Sequence, residues 1–578
     1  MAVGGAKGRA ASGASELQRP TARSLIKTAL IVAALAFETP AIWARIAMLG
    51  VTPGLPVYIG LYVFLALCLG GAAMIRQPVF RWGWAILFAA ATILLGSFQT
   101  AAADAMSYET FISMLQSAGF IDDALAQYRG PIAWASANAL LLLVGIGLKP
   151  ASRRLPGILA GSAPFLGLAL LSTLLFFRGG EGGRGLPSAW VGSAYSVLYG
   201  FESITRSVGP RQPVRIARTR PPAYRDIVLI IDESIAARYL DINDPQGVRS
   251  GLASPPSGLS VANFGIAASI TDCSFGSNMT LRHGGTRAAY NRINATGPSI
   301  FAYAKAAGFR TVYVDAQRTG GAFQNGMDDA ERGSIDHFIQ FDDTPAANRD
   351  MAAAGAVIDA LANDRREFIL VNKMGAHFPI ADKFPDTAAP YQPTLPRGLS
   401  ADVAEMQLPE NLYSGAENWR LYRNSYRNTV AWTVGGFFDR LFAHARLRDA
   451  LIIYTSDHGQ KLHERGDSGT TTHCSVVPVA EEGAVPLVAI DASGRWQAAA
   501  KRHFDASSHY RIFPTLLAAM GYDPVAVRRS YGEALDSTAP DPATFNGLFN
   551  ARLGRQPMWV GVRRAALPAP PASDIAAR

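Results

Sequence analysis

Apolar residues run almost without interruption through five stretches of the first third of the chain, at 24–48, 56–76, 82–100, 130–148 and 155–177. A helix crosses a ~30 Å hydrocarbon core in about 20 residues, so each stretch predicts a membrane-spanning helix. Four stretches are clean; Glu38, Pro40 and Arg45 interrupt the first. A cleaved signal peptide would account for the first run alone, but not for the four behind it. After residue 225 the pattern changes. Short apolar runs of strand length follow: DIVLII (226–231), RTVYV (310–314), EFILV (367–371), LIIY (451–454) and PLVAI (486–490). Helical stretches separate them. SIFAYAKAAGF closes on Gly308 as a C-cap, RNTVAWTVGGFFDRLFAHARL precedes the strand at 451, and YRIFPTLLAAMGY follows His509. Buried strands alternating with helices predict an α/β domain with a mainly parallel, doubly wound sheet.

Breaks in the pattern divide the chain. Residues 1–23 form an N-terminal tail and 24–178 a transmembrane domain of five helices. Residues 179–222 are a linker, in which the Gly- and Pro-rich RGGEGGRGLPSAW and ARTRPPAY enclose AWVGSAYSVLYGF, an aromatic stretch suited to an interfacial helix. Residues 223–562 make the α/β domain, and 563–578, with LPAPPASDIAAR, are expected to be disordered. There are no internal repeats.

Composition sharpens this picture in three places. Of 578 residues 49% are hydrophobic and only 17% charged, and the apolar excess sits in the membrane region. Basic residues orient the spans: Lys7, Arg9, Arg19, Arg23 and Lys27 in the tail, Arg76 and Arg81, and Lys149, Arg153 and Arg154 belong on the cytoplasmic side. The loop at 101–129 carries Asp104, Glu109, Asp122 and Asp123 against a single Arg129 and belongs outside, which places everything after about residue 178 outside as well. The net charge of +9 is part topological signal and part attraction to anionic headgroups, and no aromatic-and-basic motif points to nucleic acid. Three cysteines are too few for a disulfide scaffold; Cys68 lies in a span, while Cys273 and Cys474 belong to the oxidising outer compartment.

The candidate chemistry begins at ALIIYTSDHGQ (450–460), where Asp457 and His458 stand at the end of a strand. Asp-His-Gly on its own makes an ordinary turn. Ligands in open α/β sheets, however, gather at the carboxyl ends of strands, and Asp and His both bind zinc. Glu233 follows the first strand, His377 follows the strand at 367–371 in NKMGAHFP, and His473 lies in GDSGTTTHCSVVP. Four such endings on one edge predict a site for zinc or manganese with a position left open for a nucleophile. The hydroxyl-rich stretch 263–285, NFGIAASITDCSFGSNMTLRHGG, is expected to be a loop that supplies it from Thr271, Ser274, Ser277 or Thr280. If the loops bearing Cys273 and Cys474 converge, the two sulfurs come within bonding reach; two small buried thiols that never meet are the alternative.

DESIAARYL, the stretch around Thr271, FAYAKAAGFRTVYVDAQ, NKMGAHFP, YTSDHGQKLHERGD and THCSVVPVAEEGAVPL fall in one order. That order, with the five-span N-terminal region, resembles the membrane-bound phosphoethanolamine transferases of the alkaline phosphatase and sulfatase superfamily, and more distantly lipoteichoic acid synthases. The resemblance implies Glu233, Thr271, Asp457 and His458 as ligands of one or two zinc ions, or manganese. It implies Thr271 as nucleophile, in a Thr-x-x-Ser pattern closed by Ser274, and His377 and His473 as substrate-handling histidines; His509 matches a histidine before the last helix. It further implies a multi-pass protein of the bacterial inner membrane with a periplasmic catalytic domain. That domain would move phosphoethanolamine from phosphatidylethanolamine to lipid A or another envelope glycan through a zinc-bound phosphothreonine. A phosphoglycerol transferase or lipid phosphodiesterase would use the same centre. A non-catalytic glycan-binding protein would not need to keep Glu233, Thr271, Asp457 and His458 together. The chain departs from the family in its few cysteines and after RTVYVD, where Ala316 and Gly320 or Gly321 stand in place of the usual Asn and Lys, with Arg318 close by. CSFGS also lacks the Cys-x-Pro-x-Arg pattern that a sulfatase needs.

Overall fold

The computed structural model describes residues 22–572 except 103–104, 117–124, 126–127, 151–156, 206–208, 319, 321–325, 398–415, 467–471 and 476. Nearly all of the expected N-terminal tail, residues 573–578, Gly321, and the charged positions Asp104, Asp122, Asp123, Arg153 and Arg154 lie outside the described residues.

The chain forms two compact units, one of residues 1–97, 131–175 and 182–198 and the other of 98–130, 176–181 and 199–578. The first is helical. Helices α3 (Gly54–Ala73), α4 (Pro78–Ala102), α6 (Arg129–Gly147) and α7 (Gly157–Phe177) are long and apolar enough to cross a membrane; α5 (Tyr108–Gln116) lies between α4 and α6. The first apolar run is broken into α1 (Ala22–Ala36) and α2 (Thr39–Leu49), bent by 53°, which as one span makes a fifth crossing. The break has a physical cause. Pro40 opens α2, where its missing N–H costs nothing, and the carboxylate of Glu38 accepts the Ser188 amide at 3.1 Å from both oxygens. That contact caps α8 (Ser188–Thr205). The first half of α8 is not the surface-lying linker helix that its aromatic residues suggested. Trp190 is fully buried, donates to the Leu65 carbonyl at 2.9 Å and packs on Phe88, because its indole N–H finds a partner inside the helical unit.

The second unit is built on one eight-stranded sheet. Its strands are β1 (Asp226–Asp232), β2 (Ser260–Ala268), β3 (Arg310–Asp315), β4 (His337–Gln340), β5 (Glu367–Asn372), β6 (Ala450–Ser456), β7 (Ala484–Asp491) and β8 (Ser507–Ser508), in the order β4-β3-β5-β1-β6-β7-β2-β8. All neighbours are parallel except those of β7, which runs against β6 and β2. Alternate residues of the central strands feed two cores. Ile227, Leu229 and Ile231 pack with Phe301 of α10 (Ile300–Ala306) and Leu516 of α14 (Ile512–Ala519). Val228 and Ile230 pack with Val357 of α11 (Ala346–Ala362), Val430 of α12 (Ala416–Val430) and Phe437 of α13 (Phe437–His444). Strands covered on both faces must be apolar throughout, which is why their runs stood out in the sequence.

Two expectations need correction here. The stretch 263–285 is not a loop: β2 occupies its start and α9 (Ser274–His283) its end. β2 was hidden because Asn263 and Gly265 sit at a bulge in its pairing with β7 and the rest of it is small residues. Residues 563–572, placed in a disordered tail, are packed instead. Leu567 is buried beside Phe545, and its carbonyl accepts from Arg238 Nη1 at 2.8 Å; proline-rich extended chain leaves such carbonyls open to arginine.

α5 belongs to the same compact unit as the sheet. Glu109 accepts the Asn550 amide at 3.0 Å, and the Tyr108 hydroxyl donates to Glu202 at 2.8 Å. A reporter active only outside the cytoplasm, fused at residue 225, is expected to be active; a silent fusion there with an active one at Lys149 would reverse the orientation.

Candidate metal centre

Four adjacent parallel strands, β3, β5, β1 and β6, end at one rim of the sheet, and the register brings Ile231 beside Asn372 and Asp232 beside Ser456. Glu233, Asp457 and His458, the residues just past those ends, offer ligand atoms that all lie within 4.8 Å of one another. All three are buried. His458 Nε2 stands 3.4 Å from Glu233 Oε1 and 3.7 Å from Asp457 Oδ2.

The backbone around the cluster is held tightly. Ser234 adopts a left-handed φ of 61°, a strained conformation for a residue with a Cβ, and its amide donates to Asp457 Oδ1 at 3.0 Å. The His458 amide donates to the same oxygen at 2.7 Å. Ser456 Oγ takes the Ile235 amide, and the Tyr426 hydroxyl takes that of Ala236. Beneath the rim, the buried Lys373 ammonium reaches Asp232 Oδ2 at 2.5 Å and the Thr433 carbonyl at 2.7 Å, with Asp350 at 3.7 Å. Asp350 in turn accepts the Met374 and Gly375 amides. Burial pushes Asp232 up to about 6, against the pull of Lys373. Gly375 has a φ of 49°, and a Cβ there would stand 2.4 Å from Asp232 Oδ1 and 2.6 Å from the Glu233 carbonyl, so the turn into His377 admits no side chain. Lys373→Met, which leaves two buried carboxylates without their cation, is expected to cost ~3–5 kcal/mol, read as a lower melting temperature, with part recovered by adding Asp232→Asn.

The donor set fits a divalent cation. Asp457 keeps Oδ1 on two amides while its buried Oδ2 has no hydrogen-bond partner. His458 Nδ1 donates to the Gly459 carbonyl at 2.8 Å, which fixes the tautomer that presents Nε2 as a lone pair. Burial, then the neighbouring charge of Glu233, pushes Asp457 up to about 8. Burial opposes the charge on Glu233 too, but the His458 contact outweighs it and holds that carboxyl below its usual range. Burial likewise opposes charge on His458, yet Asp457 and Glu233 raise its affinity for a proton. Two carboxylates closed around one imidazole need a cation, and a metal ion meets that need for all three at once.

Of the four candidate hydroxyls, Ser274 is the one in contact with this cluster. Its Oγ lies 3.2 Å from Glu233 Oε1, 3.3 Å from Glu233 Oε2 and 3.2 Å from His458 Nε2. Thr271, implied as ligand and nucleophile, instead donates its hydroxyl to Asp272 at 2.9 Å. Ser277 bonds to the Thr271 backbone, and Thr280 accepts from Asn294. The cause is the helix start. α9 begins at Ser274, so Ser274 sits at the mouth of the helix and Thr271 lies in the turn before it.

The histidines also separate. The His473 ring stacks on that of His458 at 4.5 Å. His377 is exposed at the rim, with Nδ1 at 2.7 Å from the Phe378 carbonyl. His509 is fully buried, 2.7 Å from Thr455 Oγ1 through Nε2; burial, then the charge of His458, brings it down to about 3, so it is a neutral core residue.

A family model described as Sulfatase matches residues 225–522, just over half of the chain, and spans every residue of this cluster. The chain belongs to the sulfatase family. Among solved structures, the integral membrane lipooligosaccharide phosphoethanolamine transferase A of Neisseria meningitidis is similar at 16% identity, with a TM-score of 0.60 over 87% of this chain and 96% of that one. The periplasmic domain of EptC from Escherichia coli, in complex with zinc, is similar at 14% identity, with a TM-score of 0.45 over 63% of this chain and 98% of that one. The first similarity shows a shared fold from the membrane helices through the sheet. No match is found among curated proteins.

Cys273, beside Ser274, forms a disulfide with Cys474, next to His473, with Cα atoms 5.1 Å apart. The Cys474 amide also donates to the Asp272 carbonyl at 3.1 Å. The bond closes a loop of sequence separation 201 and ties the start of α9 to the loop carrying His473. Loops of that size correspond to a chain-entropy contribution of about 5 kcal/mol. Cys273→Ser with Cys474→Ser is expected to lower the melting temperature and the activity while leaving metal content intact; loss of metal as well would make the bond part of the centre itself.

Sequence reasoning passed over Gln317 and Lys373. Lys373 had one signal, a lysine placed directly after a fully apolar strand. Gln317 had none beyond its place two residues past β3.

Proposed function

We propose that this protein transfers a phospholipid headgroup, phosphoethanolamine, to an envelope glycan such as lipid A, through a phosphoserine on Ser274. The observation that carries the reading is the Ser274 hydroxyl, 3.2 Å from both Glu233 and His458 at the mouth of α9. A metal ion held by Glu233, Asp457 and His458, zinc by the chemistry of the donors, would supply a Lewis acid that lowers the hydroxyl pKa and neutralises phosphoryl charge. Ser274 Oγ attacks the phosphodiester phosphorus. The Oγ–P bond forms, the P–O bond to the glyceride breaks, and diacylglycerol leaves with a proton. In this reading His473, stacked on His458, and His377 at the rim donate that proton, and in the second step take one from the acceptor hydroxyl as it displaces Ser274 from phosphorus. The amides at the start of α9 favour the negative charge of the phosphoseryl group.

Membrane helices suit a donor and an acceptor that both reside in a bilayer, the bacterial inner membrane with the catalytic unit in the periplasm. Sulfate-ester hydrolysis through formylglycine is disfavoured, because Cys273 is bonded to Cys474 and the Cys-x-Pro-x-Arg pattern is missing. The test uses full-length protein in micelles with phosphatidylethanolamine labelled in the headgroup. Diacylglycerol release with label on a Ser274 peptide, followed by label on lipid A, supports the reading. Release of free phosphoethanolamine with no acceptor labelled would favour the phosphodiesterase, and label from phosphatidylglycerol alone would favour phosphoglycerol transfer.

A further inference from the structure

We infer that Gln317 is a positioning residue that sets the metal affinity of the centre by orienting Glu233. The inference rests on the reading of Glu233, Asp457 and His458 as metal ligands. Gln317 Nε2 lies 2.9 Å from Glu233 Oε2 and 2.9 Å from the Lys373 carbonyl. Both neighbours are acceptors, which fixes the amide orientation and uses both of its hydrogens. The other carboxylate oxygen, Glu233 Oε1, takes the Ser234 hydroxyl at 2.8 Å and faces His458. Glu233 is thus held at both ends, with Oε1 facing His458 and both oxygens in reach of Ser274.

Gln317 can do this because its own backbone is fixed. Asp315, fully buried at the end of β3, accepts the Gln317 and Arg318 amides through Oδ1 at 3.1 Å each, and its Oδ2 accepts from Gln340 at 2.9 Å. The Gln317 carbonyl accepts from Arg349 Nη1 at 3.2 Å. The bond to the Lys373 carbonyl then joins the ligand of β1 to the loop that carries His377. A neutral amide at this place has a chemical consequence. It occupies one lone pair of Glu233 without cancelling its charge, so the carboxylate keeps its full strength as a ligand, whereas a lysine there would compete with the metal.

The test is zinc affinity of the full-length protein in detergent after metal stripping, by competition with a chelator of known affinity, together with the melting temperature of the metal-free form. Gln317→Ala is expected to weaken zinc binding ~10–100-fold with an unchanged metal-free melting temperature. Gln317→Glu, of the same shape but without the two donors, is expected to weaken it more, and Gln317→Asn to fall between wild type and alanine. Excess zinc is expected to restore turnover to Gln317→Ala. Wild-type zinc affinity in Gln317→Ala, while Glu233→Ala loses zinc, would overturn the role of Gln317 and leave the metal centre standing. A metal-free Gln317→Ala that melts well below wild type would make Gln317 a strut of the fold and also overturn it. Unchanged zinc affinity in Glu233→Ala would overturn the metal reading, and this inference with it.

Discussion

Ser274→Ala is expected to abolish both the covalent phosphoenzyme and turnover, a loss of at least ~10³-fold, whereas Thr271→Ala is expected to stay within ~10-fold of wild type. The asymmetry follows from where the two hydroxyls point. Ser274 Oγ touches Glu233 and His458, and nothing else in α9 can take its place: Ser277 and Thr280 are committed to the Thr271 backbone and to Asn294. Thr271 Oγ1 is spent on Asp272. Removing it forfeits one buried hydrogen bond, worth ~1 kcal/mol of stability. Burial, then the charge of Glu482, holds Asp272 well above the usual carboxylate range. The measurement is mass spectrometry of acid-quenched enzyme with the modified peptide mapped. A phosphopeptide on Thr271, with an active Ser274→Ala, would return the nucleophile to the residue that the Thr-x-x-Ser pattern indicated.

The second large effect is expected at the ligands. Asp457→Asn should lose bound metal and activity together while the apo fold survives. Asn keeps the oxygen that accepts the Ser234 and His458 amides, so the backbone remains fastened. It replaces the partnerless Oδ2 with an amide nitrogen, which cannot ligate. Loss of a direct ligand should exceed the ~10–100-fold typical of a group that only orients one. Melting curves separate this from misfolding. Wild type gains ~2.7 kcal/mol from zinc at a hundred times its Kd, and the variant gains nothing. Its metal-free form should melt no lower than wild type, because burial pushes Asp457 up to about 8 and a neutral Asn then stands in for a carboxyl that is itself neutral without the metal. His458→Ala should lose metal as fully but melt lower, since it opens a hole under His473. Retention of stoichiometric metal in either variant would disprove the cluster as the metal site.

Both predictions separate what was legible from what was not. The membrane helices were legible because a bilayer demands a length and an apolarity that little else imitates. The five strands β1, β3, β5, β6 and β7 were legible for a related reason: a strand covered on both faces has no polar side to show. β2 escaped because its bulge and small residues carry no period, and β8 because it is two residues long. Glu233, Asp457 and His458 could be read as a group from the sequence, since each follows an apolar strand and the parallel topology sends those strand ends to one rim.

Distance within that rim was beyond the sequence. Thr271 and Ser274 are three positions apart with nearly the same chemistry, and a family pattern favoured the first. The start of α9 brings Ser274 against Glu233 and His458, because helix geometry sets which side chain stands at the mouth and which turns into the preceding loop. Gln317 and Lys373 reach the site from other strands through single hydrogen bonds, which leave no periodic trace. The bond between Cys273 and Cys474, 201 residues apart, likewise depended on two loops meeting in space. The sequence by itself determined which segments are buried, that the sheet is mainly parallel and which ligand types crowd one edge, because burial and alternation act residue by residue. Only the tertiary structure decided which hydroxyl meets the carboxylates and which amide orients them, because those contacts depend on differences of an ångström or two between chain segments hundreds of residues apart.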